Sequence, residues 1–582
     1  MSFIEKAREK WDRDQGMKLA AALLLNALFL LLMLGCFTPR FETNDEVLMS
    51  KFVDGQMAEK SAYVPFINIV LGFFLKTVYT FLGDSLNWYS ISQYTLMFCG
   101  FAALTWVLLR RFRLLPALSM TAIILMTVGM NAYLYPAFSK VSAVAAVGGL
   151  SLMLYAKGNG GGESRLRILL LGFILALLGY LWRFEEFFGV AALMAPVGFA
   201  VLLEISAKSQ GEPLKLKIKK LWEYARPFVM LLAAVLLLFG FDRFMWTRGD
   251  YAYFTRYNDT RSMLVDYGTL PDYDQMQDVY DALDMDENAV YFLKNWSFYD
   301  TEKFSLEQIE AVLEARDARI SHKSLGECLG VFLDEAVPGL AKTLAFYAAA
   351  FMLMLWLACG RRRWRDWLGL GLSLGFFGII YLLMIYQNRY LANRMDMGLL
   401  LAIALCIGFL MDESKVERER LLCIALAALA IFTGLYMNKN VCLYSGQYTV
   451  EDKSSQKAAV ERLLEDEEHL YLCKVWSMDH ELYGPLETAP AGFADRIVLL
   501  GGWSLYHPSI EHVLEKYGIE NPYPDMIDNP QVLLIDKDVE RTVEYLQKYY
   551  EPSARAEKIE PMSSDTGLEI YRIVSGEQAV NN

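Results

Sequence analysis

MKLAAALLLNALFLLLMLGCFTPRFETNDE, residues 17–46, holds the two features from which the rest of the chain is read. From Met17 to Phe37 almost every residue is apolar, enough for a helix to cross a hydrocarbon core of about 30 Å. Lys6, Arg8, Lys10, Arg13 and Lys18 surround its start, so the positive-inside bias places the N-terminus in the cytoplasm. Met33-Leu34-Gly35-Cys36 faintly resembles a lipoprotein cleavage box, but the long charged leader and the many later apolar runs favour an uncleaved anchor. The span then ends in an acidic turn, Arg40-Phe41-Glu42-Thr43-Asn44-Asp45-Glu46.

Apolar runs of similar length recur through the first 440 or so of 582 residues. The chain is 55% hydrophobic and 21% charged, with a mean hydropathy of +0.25, which excludes an ordinary soluble or disordered protein. Its net charge of −13 argues against a nucleic-acid partner. Eight Cys without a C-x-x-C pair argue against a zinc ribbon or a thioredoxin-type motif. No internal repeat points to a transporter of inverted-repeat type.

Charge decides how Val64 to Leu82 is read. As a span, it would force the next apolar run, Trp88 to Leu109, to leave Arg110, Arg111 and Arg113 outside. As a helix lying on the outer face, it lets those arginines end inside. Lys157, Arg165 and Arg167, the run from Lys208 to Arg226, the Arg361–Arg365 cluster, and Lys415, Arg418 and Arg420 then fall inside too. The expectation is a polytopic α-helical membrane protein with about 11 spans, N-terminus in and C-terminus out. The spans are near 17–37, 88–109, 114–132, 137–155, 166–182, 187–204, 227–247, 341–359, 367–386, 396–411 and 420–437. Residues 1–437 form the transmembrane domain, with outer loop 38–87 and a large polar, acidic outer loop, 248–340. Residues 438–582 form an outer domain of small α/β type: strands at 469–476, 496–500, 531–535 and 569–573, and an amphipathic helix at 539–549. Gly501-Gly502, after a strand, is its nearest approach to a phosphate loop, and Cys442 and Cys473 lie on the same side, where they can pair.

Charged residues at outer span ends are the candidates for chemistry, because such residues are costly in lipid unless exposed, paired or functional. Asp45 and Glu46 either sit in a solvated turn or supply a general base; they can also hold a divalent cation, Mg or Mn, on a phosphate. Arg183, Glu185 and Glu186 form either an interfacial ion pair or part of a site. Lys140 is either an interface anchor or a partner for lipid phosphate. Arg389 and Arg394 crowd a short outer loop against the charge bias; guanidinium groups grip phosphate bidentately, or else pair with the acidic loops. Tyr257, Asn258, Arg261, Asp266 and Tyr267, with Trp296 and Tyr299 further on, are either interface anchors or a sugar platform. The five His fall outside any plausible ligand set.

The order of the first 113 residues resembles the membrane glycosyltransferases of the GT-C fold: an acidic pair at Asp45-Glu46, then Gly55, a Pro65-containing stretch and a surface helix. These include protein mannosyltransferases, lipid A aminoarabinose transferases and bacterial glucosyltransferases. Beyond residue 113 the resemblance rests on overall layout. It implies a sugar donor carried on polyprenyl phosphate and inverting transfer at the outer face of a bacterial plasma membrane. The acceptor would be a cell-surface glycan, glycolipid or protein, and Asp45 or Glu46 the base. It also implies a late basic residue, here Arg394 before Arg389, at the donor phosphate. Lipid phosphate is already a competent leaving group, so no cofactor is required. The alternatives are a glycolipid flippase, a polysaccharide polymerase or ligase, and a non-catalytic envelope assembly protein. A flippase would carry polar residues in mid-span, where only Asp242 and Arg243, near a span end, stand out. A polymerase would depend on arginines or a histidine in the large loop.

Overall fold

In the computed structural model the described residues are 14–159, 163–266, 270–320, 323–389, 393–444, 453–479 and 482–576. Long apolar runs fold as helices because lipid leaves backbone groups no other partners. In chain order these are α1 (Gln15–Cys36), α2 (Asn44–Asp54), α3 (Ile69–Leu82), α4 (Trp88–Arg111), α5 (Leu114–Leu134), α6 (Phe138–Asn159), α7 (Glu163–Trp182), α8 (Phe184–Lys208) and α9 (Leu214–Trp246). Then follow α10 (Tyr251–Arg261), α11 (Leu325–Leu340), α12 (Leu344–Cys359), α13 (Trp364–Tyr386), α14 (Asn393–Phe409) and α15 (Arg420–Tyr444). Among the described residues nine helices are long and apolar enough to cross a membrane, or ten if the bent pair α11–α12 counts as one span. The remaining expected span, 396–411, falls on the 17-residue α14.

The chain is therefore a multi-pass membrane protein. Helix α3, at 14 residues, is too short to cross: its rise is about 21 Å. The large loop differs from its expectation as a polar connection. It contains several helices, and the last, α11, exposes Leu325, Leu329, Leu333 and Val337. Their four-residue spacing is one apolar stripe, and α11 meets α12 at a sharp bend of 93°. The acidic composition of the loop hides this stripe from a reading by average polarity.

Helix α6 is the axis of the bundle, its apolar stretch wholly buried against α4 and α7. Small residues allow that approach, as at many helix contacts in lipid. A Cβ on Gly149 would fall 2.4 Å from the Ala176 backbone nitrogen, and one on Gly172 2.7 Å from the Gly149 carbonyl. Between α4 and α6, a Cβ on Gly100 would lie 2.7 Å from the Val144 carbonyl. At one end of the bundle the basic loops meet. Arg111 donates to the carbonyls of Gly408 and Phe409, Arg361 donates to Phe409, and Arg363 pairs with Glu204 at 3.2 Å.

Beyond α15, a five-stranded sheet runs in the order β2-β1-β3-β5-β4. Strands β1 (Leu470–Cys473), β2 (Ile497–Leu499) and β3 (Val532–Ile535) are parallel and buried. Strands β4 (Arg555–Lys558) and β5 (Ile570–Val574) complete it antiparallel. Helix Val539–Tyr549 forms where the amphipathic pattern places it, and β4 is an addition to the expected strands. Cys473 is a buried free thiol in β1; Cys442, its suggested partner, lies in a segment whose side chains are outside the description.

Gly149→Leu should force α6 and α7 apart and cost about 1–3 kcal/mol by overpacking. A lower melting temperature of the detergent-solubilised chain is the readout. Gly158→Leu, where a Cβ meets nothing within 4 Å, should leave it nearly unchanged.

Candidate active site

The first outer turn becomes helix α2, and its register separates the two acids. Glu46 is completely buried. Its carboxylate accepts from the Thr43 hydroxyl at 2.7 Å and from the backbone N–H of Phe138, the first residue of α6, also at 2.7 Å. It thus satisfies an orphan donor at a helix N-terminus, where the helix dipole also favours negative charge. Burial pushes the Glu46 carboxyl up to about 7, the charge of Asp45 adds to this, and Arg394, Thr43 and the Phe138 amide oppose it.

Asp45 turns the other way, into a cavity of about 940 Å³ between the bundle and the sheet domain. One of its oxygens accepts from Arg394 at 3.2 Å, the other from the indole N–H of Trp503 at 3.0 Å. Arg394 also donates to the Thr43 hydroxyl at 2.9 Å, so Thr43 links the two acids.

Arg183, Glu185, Asn258, Arg261, Asp266, Arg389 and Arg394 line the same cavity with Asp45. Arg183 pairs with Glu185 at 3.5 Å, and its guanidinium stands 4.7 Å from the Phe138 ring; Arg394 stands 5.5 Å from that ring. Arg261 is buried and fully committed. It donates twice to Asn258 and bidentately to Asp266, over the face of Trp296. It shapes the wall and has little left to offer a ligand.

Other expected residues lie behind the lining. Lys140 is buried, donating to Asn131, the Tyr135 carbonyl and Glu42. Glu186 is buried in the first turn of α8, and neither of its carboxyl oxygens has a hydrogen-bond partner among the described residues. Tyr257 is buried, its hydroxyl donating to the Phe304 carbonyl. Tyr267 is outside the described residues. Asp45 and Glu46 direct their carboxylates to different partners.

The cavity also takes residues outside the expected set. Asp242 and Arg243 reach it from the end of α9, and Asp242 accepts from the Ile69 N–H at 2.7 Å, fixing the start of α3. Their charge at a span end was the available signal. Asp259 lines it from α10; burial raises its carboxyl while Arg243 pulls it down. Val475, Trp476 and Gly501 to Trp503 enter from the sheet domain. The Gly501-Gly502 pair after a strand marked that spot in sequence, but nothing there indicated its bundle partner.

Fold and site together define a multi-pass membrane protein with a polar, aromatic-walled cavity where its helices meet a sheet domain. No protein-family model matches the chain, and no curated protein matches it. Among solved structures it is similar to the crystal structure of ArnT from Cupriavidus metallidurans bound to undecaprenyl phosphate. The identity is 10% and the TM-score 0.40, over 93% of this chain and 95% of that one.

The raised Glu46 carboxyl binds its proton more tightly folded than unfolded. Its contribution is therefore present at low pH and lost as pH rises from about 4.5 through about 7. Glu46→Gln keeps an acceptor for the Phe138 amide and has no proton to lose. The melting temperature of the native chain should fall more steeply between pH 5 and 8 than that of Glu46→Gln. Parallel curves would show that Glu46 does not titrate there.

Proposed function

We propose that the chain is a membrane glycosyltransferase that moves a sugar from a polyprenyl-phosphate donor to a cell-envelope acceptor, with inversion and with Asp45 as general base. The observation that carries this reading is the position of Asp45, a carboxylate facing a large cavity and held between Arg394 and Trp503. Arg183, Arg243, Arg389 and Arg394 all line that cavity and would hold the donor phosphate, since guanidinium groups match phosphate oxygens in pairs. The cavity lies at the end of the bundle that carries the sheet domain, which charge bias assigns to the outside.

The chemistry balances within this set. The acceptor hydroxyl gives its proton to Asp45 and its oxygen attacks the anomeric carbon. The bond from that carbon to the phosphate oxygen breaks, and its electron pair leaves with the polyprenyl phosphate. Donor phosphate would compete with Asp45 for Arg394, so donor binding would loosen the ion pair and turn the carboxylate toward the acceptor. The arginines would stabilise the charge gathering on the leaving phosphate. The reading assigns no step to Glu46; buried under α6, it positions its neighbour.

The polymerase reading would depend on arginines or a histidine of the large loop; four of its five arginines are engaged, Arg256 with Glu310, Arg261 with Asp266, Arg316 with Asp317 and Arg319 with Asp278, while Arg248 stands over Phe244 and His322 lies outside the described residues. The flippase reading would depend on polar groups in mid-span. Glu186 and Asp396, the buried acids of α8 and α14, both sit in first turns instead.

Membranes carrying the native chain should transfer radiolabelled sugar from one member of a panel of polyprenyl-phosphate sugars. In Asp45→Asn the rate should fall by about 10²–10⁴, the usual loss on removing a general base, with detergent-extracted yield unchanged. Equal rates would remove Asp45 from the mechanism.

A further inference from the structure

The sheet domain contributes to the cavity through the carboxyl ends of two of its parallel strands. In an open parallel sheet, ligands bind outside the carboxyl ends of the strands, where the strand order reverses. Here the order β2-β1-β3 puts that reversal between β1 and β3, and the cavity takes the carboxyl end of β1 together with that of its other parallel neighbour, β2. Val475-Trp476 beyond the carboxyl end of β1, and Leu499 with Gly501 to Trp503 at the carboxyl end of β2, form the sheet-domain wall of the cavity. This wall is built to close tolerances. A Cβ on Gly501 would fall 1.4 Å from the Trp296 carbonyl oxygen, and Gly502 adopts φ +95°. The Tyr299 N–H donates to the Leu500 carbonyl, tying the Trp296 loop to the strand end.

Trp476 and Trp296 themselves take left-handed backbone, φ +74° and +60°. Bulky residues rarely do so, and such strain collects where a side chain must be aimed. Trp476 is 66% exposed, with its ring available at the cavity.

The two halves of the cavity differ in charge. The half built by the bundle and the large loop carries all of its arginines and carboxylates, while Val475, Trp476, Leu499, Gly501, Gly502 and Trp503 include no titratable side chain. A phosphate belongs with the first half. The second offers aromatic faces and backbone to something uncharged. Trp503 joins the halves, since its indole N–H holds Asp45.

Resting on the transferase reading, we infer that the carboxyl ends of β1 and β2, with Trp476 as the stacking face, bind neutral pyranose rings of the acceptor. The acceptor of this protein is then a glycan, presented either as free polymer or as the headgroup of a glycolipid, and its terminal hydroxyl meets Asp45 beside Trp503. A neutral saccharide has both features that the wall can use, a C–H face for the indole and hydroxyls for backbone groups.

The test is calorimetric titration of the detergent-solubilised full chain with three probes, all from the envelope of the cell that makes it. These are glycan released by enzymatic digestion, the extracted glycolipid fraction, and a glycan-free protein fraction. The native chain should bind one of the two glycan probes, and which one it binds names the source. Trp476→Ala should raise half-saturation about tenfold, the size of one lost aromatic contact. Trp476→Phe should recover part of that, with both variants melting like the native chain. No glycan binding by the native chain, binding of the protein fraction alone, or equal glycan affinity in native and Trp476→Ala would each overturn the inference. The transferase reading is judged separately. Glycan binding that depends on Trp476, without sugar transfer from any polyprenyl-phosphate donor, would overturn that reading and leave the glycan wall standing.

Discussion

The Glu46 carboxylate at the start of α6 fixes the arrangement of everything above it. A helix N-terminus inside a membrane protein leaves N–H groups that neither water nor lipid satisfies. Glu46 reaches across from α2 and accepts one of them at 2.7 Å. This ties the first connecting loop to the most deeply buried helix of the bundle. Asp45, one residue earlier, is then turned away from the core and into the cavity. The same contact places Thr43 between Glu46 and Arg394, so three chain segments about 90 to 350 residues apart share one hydrogen-bond network. A buried acid has a cost, visible in its raised pKa, and the site accepts that cost for a fixed geometry.

The packing below makes that geometry rigid. Glycines on α4, α6 and α7 bring backbones into contact, so α6 has little room to slide or rotate. Phe138, the first residue of α6, has the guanidinium groups of Arg183 and Arg394 near its ring. Each arginine begins or precedes another helix of the bundle, α8 or α14. The cavity floor is thus assembled from helix ends, where backbone polarity, charged side chains and the membrane boundary coincide.

Much of this was legible in the sequence because lipid imposes simple rules. Apolar length marks the spans, and the arginines after Leu109 speak against Val64 to Leu82 as one of them; the helix there, α3, has 14 residues. The same rules make Asp45, Arg183, Glu185, Arg389 and Arg394 conspicuous, since a charge at a span end needs a reason. They fail where charge is ordinary. Lys140 and Glu186 stand out as much as Arg394, yet both are buried behind the lining, because distance along the chain does not say which way a helix end faces. Helix α11 escapes notice because its apolar stripe sits in an acidic segment. The largest omission is the sheet-domain wall: Trp503 reaches Asp45 across 458 residues, and no local pattern encodes such a pairing.

That long-range contact also bears on why a helix bundle carries a sheet domain at this end. A cavity made only of helix ends would be lined by charge and open to solvent, and water would weaken every electrostatic interaction in it. Closing it with lipid-facing helices would exclude water but also any hydrophilic ligand. Strand ends bearing tryptophans solve both problems. They cover the charged floor with surface that is apolar yet compatible with hydroxyl groups, and they reach the Asp45 carboxylate through a single indole N–H. The cavity is thus shared between two differently built parts: helix ends and the large loop hold the acids and the arginines, and the sheet domain sets an uncharged aromatic wall against them.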